Sequence, residues 1–136
     1  MPLLRPVLFP PRWMRLLALL AFAFVAANLF WHGAQPYAVG AVSEPWDKLA
    51  HLVLYGGFGG AAWVMLGGGR PTADVLAPMA ALLVGVADEF AQSFSPGRVV
   101  GLGDIAADAI GALLAVMTLV WLREWTRAAE VRAARG

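Results

Sequence analysis

Four long runs of apolar residues, joined by short polar connections, make up most of the chain. They cover Trp13–Trp31, Leu49–Leu66, Val75–Phe94 and Ile105–Leu122. Each run approaches the roughly 20 residues that an α-helix needs to cross about 30 Å of hydrocarbon. The middle two runs carry polar residues, but only near one end of each. The pattern predicts an all-α fold, a four-helix integral membrane bundle formed by residues 1–136 as one domain.

Composition points to the same solvent. The chain is 60% hydrophobic and only 14% charged, whereas a soluble domain is about half apolar and about a quarter charged. It contains no cysteine and only two histidines, His32 and His51. Disulfides, thiol catalysis, cysteine-ligated metals and a multi-histidine metal site within one chain are therefore excluded. We expect neither a metal nor a cofactor.

The arginines predict the orientation of the helices, because cytoplasmic segments of membrane proteins carry an excess of Lys and Arg. With four spans, eight arginines fall on one side of the membrane and only Lys48 and Arg98 on the other. Both termini are therefore expected in the cytoplasm, with the chain integral to the cytoplasmic (inner) membrane. The eight are Arg5, Arg12, Arg15, Arg70, Arg123, Arg127, Arg132 and Arg135.

The first run has a second interpretation, a cleaved signal peptide. It starts with basic residues, and Ala21-Phe22-Ala23 resembles a cleavage site. The apolar run continues beyond these alanines to Phe30-Trp31, which favours a retained helix.

Polar residues gather at the extracytoplasmic ends of the last three helices. Asp47, His51 and Tyr55 are spaced four apart and share one helix face. A carboxylate that faces lipid at mid-membrane costs about 2.5–3.5 kcal/mol even by the lowest estimates. We therefore expect the polar side chains of all three helices to converge inside the bundle. The candidate ligand-binding residues are Asp47, Lys48, His51, Tyr55, Asp88, Glu89, Gln92, Arg98, Asp104 and Asp108.

Small residues on the second and fourth helices predict that each packs closely against another helix. Gly56 and Gly60 are four apart, and Gly111 is followed by Ala112 and Ala115. Such small-xxx-small patterns let membrane helices approach closely. Glycines at mid-membrane depth do not hold phosphates, so neither a nucleotide site nor a nucleic-acid partner is expected.

The order and spacing of the polar motifs carry a family resemblance. Asp47-Lys48-Leu49-Ala50-His51, followed by Tyr55, resembles the opening motif of VanZ-like membrane proteins. Glu89-Phe90-Ala91-Gln92 is similar to that family's "ExxQ" motif. Pro96-Gly97-Arg98 with the later Asp104 and Gly111 is similar to its "R…D" segment and the glycine after it. The chain differs at Asp108, where the family pattern has Asn.

The resemblance implies a small multi-pass protein of the cell envelope. The family takes its name from a protein associated with low-level teicoplanin resistance. The resemblance implies no particular reaction. The expected partners are membrane lipids and a lipid-linked or cell-wall-related ligand, while the oligomeric state stays open.

Three functional hypotheses follow. In the first, the polar residues bind a lipid headgroup or cell-wall-related ligand, with Arg98 as the anion contact. In the second, the chain is an intramembrane enzyme acting on a phospholipid or lipid-linked sugar. Glu89 and His51 are then the candidates for general acid or base, since His51 titrates near neutrality. In the third, the polar network only fixes the helices or binds a partner, because interhelical hydrogen bonds also stabilise a bundle.

Overall fold

The computed structural model describes residues 5–38, 40–98 and 101–135, and these are entirely helical apart from their connections. Five α-helices and one short 3₁₀ turn, Pro36–Ala38, are present in these ranges, with no strand among them. The all-α fold class is therefore confirmed. The helices are α1 (Arg5–Leu8), α2 (Arg12–Gly33), α3 (Trp46–Met65), α4 (Pro71–Gln92) and α5 (Leu102–Ala133).

The last four helices each contain the core of one predicted run, and one further helix was not predicted. Helix α5 continues past Leu122 to Ala133, because the following Arg, Glu and Ala residues are good helix formers. The four-residue helix α1 was not predicted, since its single turn is too short to give a periodic pattern. A glycine turn with Gly67 at φ +88° ends α3, and Pro71 opens α4.

Two helices, α2 and α5, are long and apolar enough to cross a membrane. None of the most apolar 18-residue window of α2 is buried, and only 28% of that of α5, unlike a core helix of a soluble protein. Large apolar side chains also face outward on α3 and α4, for example Val53 and Leu83. The interior combines a few large side chains, such as Trp63 and Tyr55, with alanines and several polar residues. Many large apolar residues outside together with charged residues inside are unusual in a soluble fold.

Helix α3 lies at the centre of the bundle and packs against α2, α4 and α5. Its closest approach is to α5, where a Cβ at Gly111 would overlap the carbonyl oxygen of Leu52. A Cβ at Gly56 would lie 3.3 Å from the Gly111 oxygen. The small residues therefore permit the close contact between α3 and α5. His51 directly precedes Leu52 on α3, and Asp108 lies about one turn before Gly111 on α5. The close approach of Leu52 and Gly111 therefore brings His51 beside Asp108.

An ion pair that the sequence pattern did not reveal joins three helices at the opposite end of the bundle. The Arg123 guanidinium on α5 donates two hydrogen bonds, of 2.9 and 2.8 Å, to the Asp74 carboxylate on α4. Trp63 Nε1 on α3 donates to the same carboxylate at 2.8 Å. Arg123 also donates to the carbonyl of Gly68 in the turn after α3, at 2.7 Å. We call Trp63, Asp74 and Arg123 the inner clamp.

Candidate functional site

Polar side chains from three helices meet at one end of the bundle. They come from the first turns of α3 and α5 and the last two turns of α4, which lie together because α4 runs opposite to its neighbours. We call these residues the polar cluster. Its members are Asp47, Lys48, His51, Tyr55, Asp88, Glu89, Gln92, Asp104 and Asp108.

Lys48 ties the start of α3 to the start of α5. Its Nζ donates to Glu44 at 2.9 Å, to Asp47 at 3.2 Å and to Asp104 at 3.1 Å. All three partners are carboxylates, which stabilise the charged ammonium group. The side chain is therefore a fixed positive charge at the edge of an acidic group of residues.

His51 and Asp108 form the central pair of the cluster. His51 Nδ1 lies 2.8 Å from Asp108 Oδ1, and Asp108 is completely buried. An ionised carboxylate only accepts hydrogen bonds, so His51 Nδ1 is the donor when Asp108 is charged. The His51 ring also stacks on Tyr55, with centroids 5.9 Å apart and planes 10° apart. Gly85 on α4 makes room for Asp108, because a Cβ there would overlap Asp108 Oδ2.

Helix α4 contributes two neighbouring buried acids that face different partners. Gln92 Nε2 donates to Asp88 Oδ2 at 2.7 Å within the helix. Glu89 Oε2 accepts the backbone N–H of Gly101 at 2.9 Å, which fixes the start of α5 against α4. Asp88 and Glu89 are 1% and 4% exposed, so both carboxyls have left water.

Three buried polar atoms of the cluster have no hydrogen-bond partner within the described ranges: the Tyr55 hydroxyl, Asp88 Oδ1 and Asp108 Oδ2. A buried polar group without a partner costs about 1–3 kcal/mol, and native proteins keep few of them. Such groups accumulate where structure serves binding or chemistry rather than stability alone. The cluster is the only region of the described chain where they occur.

Arg98 lies beside the cluster without joining its ionic network. Its Nη1 donates to the carbonyl oxygen of Gly33, at the end of α2, at 3.4 Å. It forms no ion pair with a carboxylate of the described residues. Most of its five donors therefore remain available for an anion.

A trio of residues has the geometry for a cation. One ring nitrogen of His51 and one carboxylate oxygen each of Glu89 and Asp104 all lie within 4.8 Å of one another. Gly101, which the sequence pattern gave no role, adjoins this trio. Its N–H binds Glu89, and a Cβ at this position would overlap Asp104 Oδ2. No sequence signal identified Gly101, because its contacts depend on how α4 and α5 meet.

The apolar exterior, the helical fold and the buried polar cluster together define a helical membrane protein with an ionisable site inside its bundle. The chain belongs to the VanZ/LLP1 family, whose sequence profile matches residues 5–123. The match confirms the resemblance carried by the polar motifs. No curated protein and no solved structure matches the chain.

Proposed function

We propose that this chain is a four-pass protein of the cell envelope that binds an anionic lipid headgroup in its polar cluster. In this arrangement α2 to α5 span the inner membrane, both termini lie in the cytoplasm, and the cluster faces the extracytoplasmic side. Apolar residues cover the outward surfaces of α3 and α4 as well as those of α2 and α5, which supports all four as spans. The arginine count supports the orientation.

The observation that carries the proposal is the placement of a guanidinium with free donors next to a buried, incompletely paired polar cluster. The planar fork of Arg98 suits the oxygens of a phosphate, which it can bind bidentately. A lipid headgroup that contains a phosphate and hydroxyl or amine groups could bind both parts of the site. Its phosphate would contact Arg98, and its hydroxyl or amine groups would donate to the cluster carboxylates.

An adjoining groove favours a lipid over a soluble ligand. A cavity of about 390 Å³ lies between α2 and α3 and is lined only by apolar residues, including Phe22, Val25 and Phe58. Val53 and Leu54, which also line it, are within one helical turn of His51. An acyl or isoprenoid chain in this groove would have its headgroup at the level of the cluster. The family's association with teicoplanin resistance fits a ligand of the cell envelope.

Lipid binding to the purified protein tests the proposal. Native mass spectrometry would compare phosphatidylglycerol and an isoprenyl phosphate with neutral phosphatidylcholine. Arg98→Gln should weaken binding of both anionic lipids by about 10- to 100-fold. A hydrogen bond to a charged group contributes about 1.5–3 kcal/mol, and about 1.4 kcal/mol is a factor of ten.

Arg132→Gln is the matched control, because it removes an arginine from the exposed end of α5 far from the cluster. Equal losses in both variants would point to non-specific attraction and contradict the proposal, as would an Arg98→Gln protein that keeps its affinity. Glu89→Gln gives a second comparison. If it fails to accumulate in the membrane while Arg98→Gln binds normally, the cluster is structural.

The His51–Asp108 pair supports one alternative, an intramembrane enzyme acting on a phospholipid or lipid-linked sugar. A histidine oriented by a buried carboxylate is a common arrangement for a general base. Lipid extracts from cells expressing the wild type and His51→Gln would be compared. Identical lipid profiles in both would rule the enzyme out while leaving the binding protein in place.

A further inference from the structure

We propose that His51, Glu89 and Asp104 form a binding site for one divalent transition-metal ion, Zn²⁺ or Mn²⁺. The site goes beyond the proposed lipid binding and does not depend on it. It also departs from the expectation drawn from composition, which considered only sites with cysteines or several histidines. One imidazole with two carboxylates satisfies neither description, yet it is a sufficient set of protein ligands for such an ion.

The distances are close to those that an ion requires. The three ligand atoms lie within 4.8 Å of one another. Ligand atoms about 2.1 Å from a shared ion are roughly 3–4 Å apart. Side-chain rotations that move the ligand atoms by about an ångström would therefore bring them to these distances. Each ligand comes from a different helix, so an ion would join α3, α4 and α5 at one point.

The surroundings of His51 provide the second observation. Histidines that bind metals almost always donate their other ring N–H to a carboxylate or carbonyl, which orients the ring and raises its basicity. Asp108 has this position, 2.8 Å from Nδ1 and with no exposure to solvent. Its Oδ2 has no partner among the described residues. In the tautomer with the proton on Nδ1, Nε2 would be the nitrogen that binds the ion.

Glu89 is held in a similar way. The Gly101 N–H donates to Oε2 at 2.9 Å, which orients the carboxylate beside the other two ligands. Glu89 is 4% exposed, so its charge is expensive unless a cation lies nearby. Its cationic neighbours in the cluster are few. Lys48 is already shared by Glu44, Asp47 and Asp104, and no ion pair joins Glu89 to a cation of the described chain.

The ligand set selects the kind of ion. Mg²⁺ and Ca²⁺ prefer oxygen ligands alone, and copper(I) prefers sulfur. Mixed nitrogen and oxygen ligands suit Zn²⁺ or Mn²⁺. Three protein ligands leave a coordination position open, as in catalytic zinc sites. That position could accept a phosphate or carboxylate oxygen.

Metal titration of the full-length protein tests the site. The protein would be purified in detergent with a tag free of histidine, stripped with chelator and titrated without added lipid. Zn²⁺ would be followed by calorimetry and Mn²⁺ by electron paramagnetic resonance. We expect one equivalent to bind, and Glu89→Gln and Asp104→Asn each to weaken binding by at least about 10- to 100-fold, the loss seen even for second-shell partners.

Two further variants separate ligation from a structural role. Glu44→Gln removes a neighbouring carboxylate outside the trio and should leave the affinity within about twofold. Lys48→Gln removes a cation that competes for Asp104, so it should bind the ion severalfold more tightly despite losing three ionic contacts. A merely structural network predicts no such gain.

The proposal is overturned if the wild type binds neither ion with one-to-one stoichiometry. It is also overturned if both ligand variants bind like the wild type. Circular dichroism and gel filtration would establish that each variant is folded. If one ligand variant does not fold, the other still tests the site on its own. Because no lipid is present, a failed titration leaves the lipid-binding proposal untouched.

Discussion

At the scale of single residues, the cluster depends on positions that carry no charge. Gly101 has φ −93° and ψ 101°, a backbone conformation open to any residue, so strain does not explain the glycine. Its importance is spatial. The carboxylate of Asp104 lies where a Cβ would be, while the N–H of the same residue binds Glu89. Two of the three proposed metal ligands are thus placed by one small residue.

This contact predicts the effect of Gly101→Ala. The new Cβ would force the Asp104 carboxylate to rotate, whereas the N–H to Glu89 would remain. We expect metal affinity to fall about tenfold, as for other losses of ligand orientation, with the fold retained. Gly57→Ala is the control, because a Cβ there has nothing within 4 Å. Metal titration and thermal unfolding would measure both, and an unchanged affinity in Gly101→Ala would refute this role.

At the scale of helices, α5 connects the two ends of the bundle. Its first turns supply Asp104 and Asp108 to the polar cluster, and five turns later Arg123 joins the inner clamp. Arginines near that end also bind backbone carbonyls around the α3–α4 turn, as Arg15 does at Met65 and Arg127 at Gly69. These carbonyls include those left unpaired at the end of a helix. Residues that were counted only for orientation therefore also hold the helices together.

The inner clamp predicts a pH-dependent contribution to stability. Hydrogen bonds from Arg123 and Trp63 stabilise the ionised form of Asp74 in the folded protein. A carboxylate stabilised in this way contributes stability above its unfolded pKa of about 3.9. That contribution is lost as the pH falls through the folded value.

Asp74→Asn should therefore destabilise the protein at neutral pH, by about 3 kcal/mol if breaking the pair resembles other buried pairs. The difference from the wild type should begin to shrink below about pH 4, the unfolded pKa, and should disappear only where Asp74 is also neutral in the folded protein. Thermal unfolding in detergent at several pH values would measure it. Glu124→Gln is the control, since this exposed residue also pairs with Arg123 but lies outside the clamp. A difference that persists unchanged to low pH would contradict the assignment.

At the scale of the molecule, the sequence predicts what depends on local pattern and misses what depends on how helices cross. The apolar runs predicted the positions of α2 to α5. The spacing of four residues between His51 and Tyr55 placed both on one helix face, where their rings stack. The pairing of His51 with Asp108 requires the crossing at Leu52 and Gly111, which no single helix specifies. The contact of Arg98 with the end of α2 is likewise a property of the assembled bundle.

The orientation of the whole bundle can be tested without background, because the chain contains no cysteine. Single cysteines would replace Ser43 or Ser95 at the end with the polar cluster, and Thr72 or Ala134 at the other end. In the proposed four-pass arrangement, Ser43→Cys and Ser95→Cys react with a membrane-impermeant maleimide in intact spheroplasts. Thr72→Cys and Ala134→Cys react only after the membrane is permeabilised.

All four positions are at least partly exposed in the bundle, so burial inside the protein does not explain a lack of reaction. Labelling in detergent gives the reference for full reactivity of each variant. The opposite pattern would place the polar cluster in the cytoplasm and overturn the orientation drawn from the arginines.

Equal labelling of Ser43→Cys and Thr72→Cys before permeabilisation would mean that α3 does not span the membrane. The clamp and the cluster would then share one side, although 20 residues of continuous helix separate the two ends of α3. About 30 Å of rise lies between those ends, close to the thickness of the hydrocarbon core, so a lipid-embedded α3 that carries a polar group at each end is most stable when it crosses.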